Sequence, residues 1–112
     1  MLTYQAYGQA KRDTVFYQIQ SKKIARASIK KNSVNNEVHY YINFHLKKAY
    51  YTEYAQLTGN NIGELLAIKY KGQIISPSIP TITAKITGGN VMVGFFKKEK
   101  RARELLQKIL KV

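Results

Sequence analysis

The 112-residue chain has no cysteine and no tryptophan, only two prolines and only six acidic residues. Without cysteine there is no disulfide framework, no thiol chemistry and no zinc-finger spacing. That absence is compatible with either redox compartment. The six carboxylates are scattered among basic neighbours and supply no convergent acid/base pair. There is no G-x-S-x-G and no Ser/His/Asp set. The expectation is a protein that is not an enzyme and carries no cofactor and no metal. No apolar run approaches the ~18 residues that cross a bilayer. Residues Met1 to Ala10 lack the charged-then-apolar layout of a signal peptide.

What is present is basic charge. Nineteen Lys and Arg against six Asp and Glu give a net charge of +13. Such an excess attracts an acidic partner: nucleic acid, an anionic lipid surface or an acidic protein. A hydrophobic content of 45% and nine tyrosines mark a folded chain. A chain of this length forms one domain, 1–112, and buries roughly 65% of its unfolded surface.

Residues 14–20 alternate as a strand, and 24–30 continue in the same style. Lys31 to Asn36 is a cluster of turn formers. From Val38 to Leu46 alternation is strict, with Val38, Tyr40, Ile42, Phe44 and Leu46 on one face and His39, Tyr41, Asn43 and His45 on the other. The two segments predict a hairpin. Residues 47–58 switch to helical spacing, with Tyr50, Tyr54 and Leu57 on one stripe, and Gly59-Asn60-Asn61 supplies a left-handed C-cap. Leu65 to Tyr70 reads as a strand, turned by Lys71-Gly72 into a return strand from Gln73 to Ile79. Pro77 and Pro80 confine that return strand to an edge or a bulge. Thr81 to Thr87 alternates again, Gly88-Gly89-Asn90 turns, and Val91 to Phe96 is a last strand. Residues 97–112 form an amphipathic helix with Ala102, Leu105, Leu106, Ile109 and Leu110 on its apolar stripe. The predicted fold is α+β in two layers: a mainly antiparallel sheet with both helices on one face.

Short pieces at fixed offsets carry a further signal. They are Tyr54, Leu57, Thr58, Asn61 and Gly63 at the end of the first helix; Leu66, Ala67, Ile68 and Gly72; Ser76 and Pro77; Ile86, Thr87, Gly88 and Gly89; and Gly94 with Phe96. In this order and spacing, from about Ile24 to Leu110, the chain resembles the head part of the first large extracytoplasmic domain of SecD and SecDF protein-export proteins. The resemblance implies that Thr58, Asn61, Gly63, Gly72, Gly88, Gly89, Gly94 and Phe96 are structural residues. It also implies contact with exported or translocating polypeptide near a membrane. Departures stand beside it. The family's turn Asp is Lys71 here, the Ser-Ala-Pro segment is one residue shorter, and Lys97 replaces the Thr that would cap the last helix. SecD proteins also have membrane spans, and this chain shows none.

Other candidates fall into place around that signal. Gly72, Gly88 and Gly89 lack the company of a phosphate-binding motif and read as hairpin turns. His39 and His45 share a strand face but sit about 20 Å apart, too far for one metal. Lys97, Lys98, Lys100, Arg101, Arg103 and Lys108 give the last helix a basic face suited to an acidic partner or an anionic membrane. Lys22, Lys23, Arg26, Lys30 and Lys31 form a second basic cluster, and Lys47 with Lys48 a third. Tyrosines interleave with these lysines, a composition that serves single-stranded nucleic acid or unfolded peptide.

The leading expectation is a non-enzymatic protein-handling module that contacts exported polypeptide, with Gln73 to Ile79 offering backbone groups to an extended chain. Two alternatives stay open: a small basic nucleic-acid-binding protein, and a structural subunit of a membrane-associated machine. The compartment is extracytoplasmic and membrane-associated if the chain is a SecD fragment, and cytoplasmic if it is free-standing.

Overall fold

The computed structural model describes residues 13–111. Tyr4, Tyr7 and the rest of Met1 to Ala10 lie outside the described residues. The elements are β1 (Thr14–Ile19), a 3-10 turn (Ser21–Lys23), β2 (Ile24–Val34), β3 (Glu37–Leu46), a second 3-10 turn (Lys48–Tyr50), α1 (Tyr51–Gly59), β4 (Leu65–Tyr70), β5 (Gln73–Ile74), β6 (Asn90–Phe96) and α2 (Glu99–Leu110). The class is α+β. Among the described residues the strands divide into two three-stranded sheets, ordered β1-β4-β5 and β2-β3-β6. All pairings are antiparallel except β1 with β4, which run parallel from Thr14/Leu65 to Ile19/Tyr70. Alternation within a strand does not report its partner's direction, so this pair is invisible in either segment alone. In β4 the residues Leu66, Ala67, Ile68 and Tyr70 are all buried. A near-continuous apolar run of this kind belongs to a strand covered on both faces.

The β2–β3 hairpin is longer than the turn-forming cluster suggests. Only Asn35 and Asn36 turn, with φ of 52° and 65°, and Val34 pairs with Glu37. Asparagine tolerates two successive left-handed residues, so a two-residue turn replaces the six-residue one. On β3, Ile42, Phe44 and Leu46 have no exposure. Tyr40 is only half-buried and Val38 is exposed, because the hairpin outruns the core towards its tip.

The helices contribute to one core. Tyr54 of α1 meets Tyr17 edge-on, with ring centroids 4.7 Å apart, and Ala102 and Ile109 of α2 are fully buried. Val91 and Val93 of β6 complete that layer. Burial of each large apolar side chain contributes roughly 2 kcal/mol. The first helix opens as a 3-10 turn and closes without a left-handed residue: Asn60 is right-handed with φ −85°. The left-handed position falls at Gly63, φ 96°. The Asn61 side chain instead donates to the Leu57 carbonyl at 2.7 Å, satisfying an orphan acceptor of the last turn.

Two expected strands are cut short, for one reason. The return strand ends at Ile74, and Thr81 to Thr87 makes only an isolated bridge, Thr81 to Leu65. Pro77 and Pro80 have no N–H to give. The segment is held by single bonds. The Ile75 N–H donates to the Ile68 carbonyl at 2.9 Å, Leu66 N–H to the Pro80 carbonyl at 2.9 Å, and Ile82 N–H to the Glu64 carbonyl at 2.8 Å. The buried Ser76 hydroxyl accepts the Ile68 N–H at 3.0 Å, where a strand would offer a carbonyl. On its other side Ser78 reaches β6: its N–H donates to the Gly94 carbonyl at 2.8 Å, and its hydroxyl accepts the Phe95 N–H at 2.9 Å. The segment is therefore a seam between the sheets.

Candidate functional site

Several of the motif residues sit where the backbone or a buried hydrogen bond constrains the side chain. Thr58 has no exposure. Its hydroxyl donates back to the Tyr54 carbonyl at 3.0 Å and accepts the Ile86 N–H at 2.9 Å, tying the loop after the seam to α1. Gly72 follows Lys71 in a turn with both φ positive, at 82° and 51°. A side chain at Gly94 would begin 2.6 Å from the Tyr41 Cβ. There the β3–β6 register shifts, so that Tyr41 faces Gly94 and Tyr40 faces Phe96. The extra residue, Phe95, turns onto the outer face of the sheet, away from α2. Its ring lies 5.9 Å from Tyr41 at 88° and 5.9 Å from His39 at 52°. Gly88, beside Gly89 in the turn before β6, has open space around it apart from Asn90.

Between β6 and the loop after the seam lies a concavity of about 410 Å³. Tyr54, Leu66, Pro80, Ile82, Ile86 and Met92 line it together with the polar Asn43 and Asn90, so its walls are mainly apolar, and Met92 is half exposed. The Leu46 N–H bonds inward to the Gly89 carbonyl, while the Gly94 carbonyl bonds outward to Ser78. Antiparallel alternation between these two points aims the main-chain groups of Met92 away from β3, towards the groove.

A second hollow, about 250 Å³, opens on the outer face of the β2-β3-β6 sheet. Arg26, Ser28 and Lys30 come from β2, Asn43 and His45 from β3, and Asn90 from β6. The His45 ring is held at both nitrogens, Nδ1 at 3.0 Å from the Asn90 Oδ1 and Nε2 at 2.6 Å from the Tyr51 hydroxyl. Asn43 donates to the same Asn90 oxygen at 3.2 Å.

The acids do not converge. Glu53 accepts the Tyr17 hydroxyl at 2.6 Å and the Lys23 ammonium at 2.7 Å. Its partial burial raises its pKa, but the Lys23 and Tyr17 bonds outweigh that and hold it below its ordinary value. Burial first, and then the Glu53 carboxylate, push the Tyr17 phenol well above the usual tyrosine range. On α2, Glu99 pairs with Arg103 at 2.5 Å and Glu104 with Arg101 at 3.9 Å. Glu37 lies 3.5 Å from the His39 Nε2. Among the described residues no group of three or more His, Asp or Glu is placed to hold a metal. No described helix is long and apolar enough to cross a membrane.

The predicted basic face of α2 is exposed from Lys97 to Lys108, and Lys98, Lys100 and Arg101 adjoin. Two of its cations, Arg101 and Arg103, are spent on pairs within the helix. Lys98 is the N-cap and makes no side-chain cap bond. Of the second cluster, Lys23 is engaged with Glu53 and stands over the rings of Tyr17 and Tyr50, whereas Arg26 and Lys30 reach the outer hollow. The return strand expected to offer its backbone is cut to Gln73–Ile74; beyond it the Ile75 and Ser78 N–H groups are bonded within the domain and Pro77 has none. The groove was not apparent in the sequence, because it is lined from five separate segments. Its one local signal is Met92, an apolar residue on the outward beat of an alternating strand.

The fold and site define an α+β domain with a mainly apolar groove beside an edge strand. A family model described as SecDF, P1 head subdomain, matches residues 4–110, and the chain belongs to that family. Two solved structures share the fold at a TM-score of 0.63 and 20% identity over 80% of this chain. One is described as a membrane component SecDF that enhances protein export, the other as SecDF in a super-membrane-facing form. This chain spans 39% of the first and 12% of the second. Comparison with curated protein sequences gives no match.

Proposed function

We propose that this chain is a protein-export domain that handles translocating polypeptide without chemistry of its own, working on the extracytoplasmic side at the membrane. Family membership supports the export role. The observation that carries the handling role is the groove: an apolar trough of about 410 Å³ alongside outward-facing main chain at Met92. An extended polypeptide gains main-chain bonds from the strand edge and buries an apolar side chain against Leu66, Ile82 and Ile86. Nothing in that contact depends on sequence beyond apolar spacing, which suits a domain that meets many different chains.

The test is a titration of a permanently unfolded, fluorescently labelled polypeptide at low salt. Met92→Lys is the variant of choice, since the residue is half exposed and its loss leaves the core intact. It is expected to weaken binding about tenfold, or by roughly 1.4 kcal/mol. Absence of binding by the unaltered protein, or equal binding by the variant, defeats the reading.

A further inference from the structure

The groove does not end at β6. Asn43 and Asn90 line it and also line the outer hollow, so the two concavities adjoin at these residues. From Met92, a polypeptide that crosses the outer face of the sheet passes Asn43 of β3 and then reaches β2, where Arg26 and Lys30 line the hollow. These two residues sit at alternate positions of β2, opposite His45 and Tyr41. Among the described residues neither has an acidic partner. Of the acids elsewhere, Glu53 pairs with Lys23, Glu99 with Arg103 and Glu104 with Arg101, while the Glu64 carboxylate accepts the Asp13 N–H at 3.1 Å. Glu37, the one acid on this face, is at the hairpin tip against His39.

Resting on the polypeptide-handling reading above, we infer that the outer hollow receives an acidic side chain of the bound polypeptide. The domain then prefers segments in which an apolar stretch is followed by Asp or Glu. Charge complementarity names a carboxylate, and the polar floor argues against a nucleobase. Both His45 nitrogens and the Asn43 amide are already bonded within the protein, leaving little to read a base edge. The nearby rings also pack edge-on and tilted against one another, not as parallel platforms for stacking. Arginine is the better half of the pair for this task, because its fork meets a carboxylate through two bonds.

The experiment compares two labelled peptides with the same apolar half, one continued by glutamates and the other by glutamines. Each is titrated by fluorescence anisotropy against the whole chain, against Arg26→Glu/Lys30→Glu, and against Lys108→Glu/Lys111→Glu as a control of equal charge change. Arg26→Gln serves as a milder variant, and circular dichroism checks folding. The glutamate peptide is expected to bind at least about tenfold more tightly than the glutamine peptide. That preference should vanish in Arg26→Glu/Lys30→Glu, with glutamine-peptide affinity unchanged, and persist in the control. If the glutamine peptide binds but no preference appears, the hollow assignment falls and the groove reading stands. A preference lost equally in the control reduces the effect to bulk charge and overturns the assignment. If neither peptide binds, both readings fall. Tighter binding of oligothymidylate, weakened by the same two substitutions, gives the face to nucleic acid and overturns it as well.

Discussion

The Tyr51 ring occupies the space where a side chain on Gly89 would begin, with its nearest carbon 2.4 Å from the position of a Cβ. Gly89 also has φ 77° and is buried, and its carbonyl accepts the Leu46 N–H at 2.8 Å. Close approach and left-handed backbone thus demand the same residue. Gly89→Ala is expected to cost roughly 3 kcal/mol, read as a lower midpoint in urea with unchanged slope. Gly88→Ala, with open space and no positive φ, should cost under about 1 kcal/mol.

Thr58→Val keeps the shape of the side chain and removes the acceptor for the Ile86 N–H. A partly buried donor left without a partner costs on the order of 1 kcal/mol. The loop lining the groove should loosen with it, so the Ile86 amide is expected to exchange with solvent faster than amides of β3. An unchanged Ile86 exchange rate would rule this out.

Two buried phenols make the fold sensitive to alkali. Burial pushes Tyr54 up to about 12 and Tyr17 higher still. A raised pKa means that the stabilising contribution is complete below the unfolded value of about 10 and declines as pH rises above it. For Tyr54 alone the loss is on the order of 2 kcal/mol by pH 12. Thermal melts should therefore show a falling midpoint from about pH 10 upward, and Tyr17→Phe should flatten that fall. A midpoint level across this range refutes the linkage.

Acid acts through Glu53 in the opposite sense. Its pKa is depressed from 4.5, so its contribution is present above that value and lost as pH falls through the folded one. The carboxylate side chain is 41% exposed, which discounts the pair with Lys23 to under about 1 kcal/mol. Glu53→Gln should narrow the difference in stability between pH 6 and pH 3 by about that amount. An undiminished difference would show that other carboxylates dominate.

Periodicity made the β2–β3 hairpin, β6 and α2 legible, since each alternates or repeats over enough residues to show which side is buried, and β4 was legible as a short apolar run. The stretch from Gln73 to Thr87 misled, because its alternation is real but its partners are single bonds from Leu66, Ile68, Glu64 and β6. Pattern reports a side chain's exposure; it does not report where a main-chain N–H goes. The parallel pairing of β1 with β4 was hidden for the same reason. At the site, Arg26 and Lys30 were visible as charge, but only the register with His45 and Tyr41 places them on the outer face of the sheet, in the hollow. Phe95 reaches the outer face only through the bulge at Gly94, which alternation alone would have turned the other way.

Ser78 joins two sheets that share no strand, with one bond from its main chain and one to its hydroxyl. Both bonds go to β6, while Ile75, Ser76 and Pro80 on either side of Ser78 bond to Ile68 and Leu66 of β4. The two layers are thus cross-linked by a loop and not by a shared strand, and a change that frees this loop from one sheet removes its link to the other.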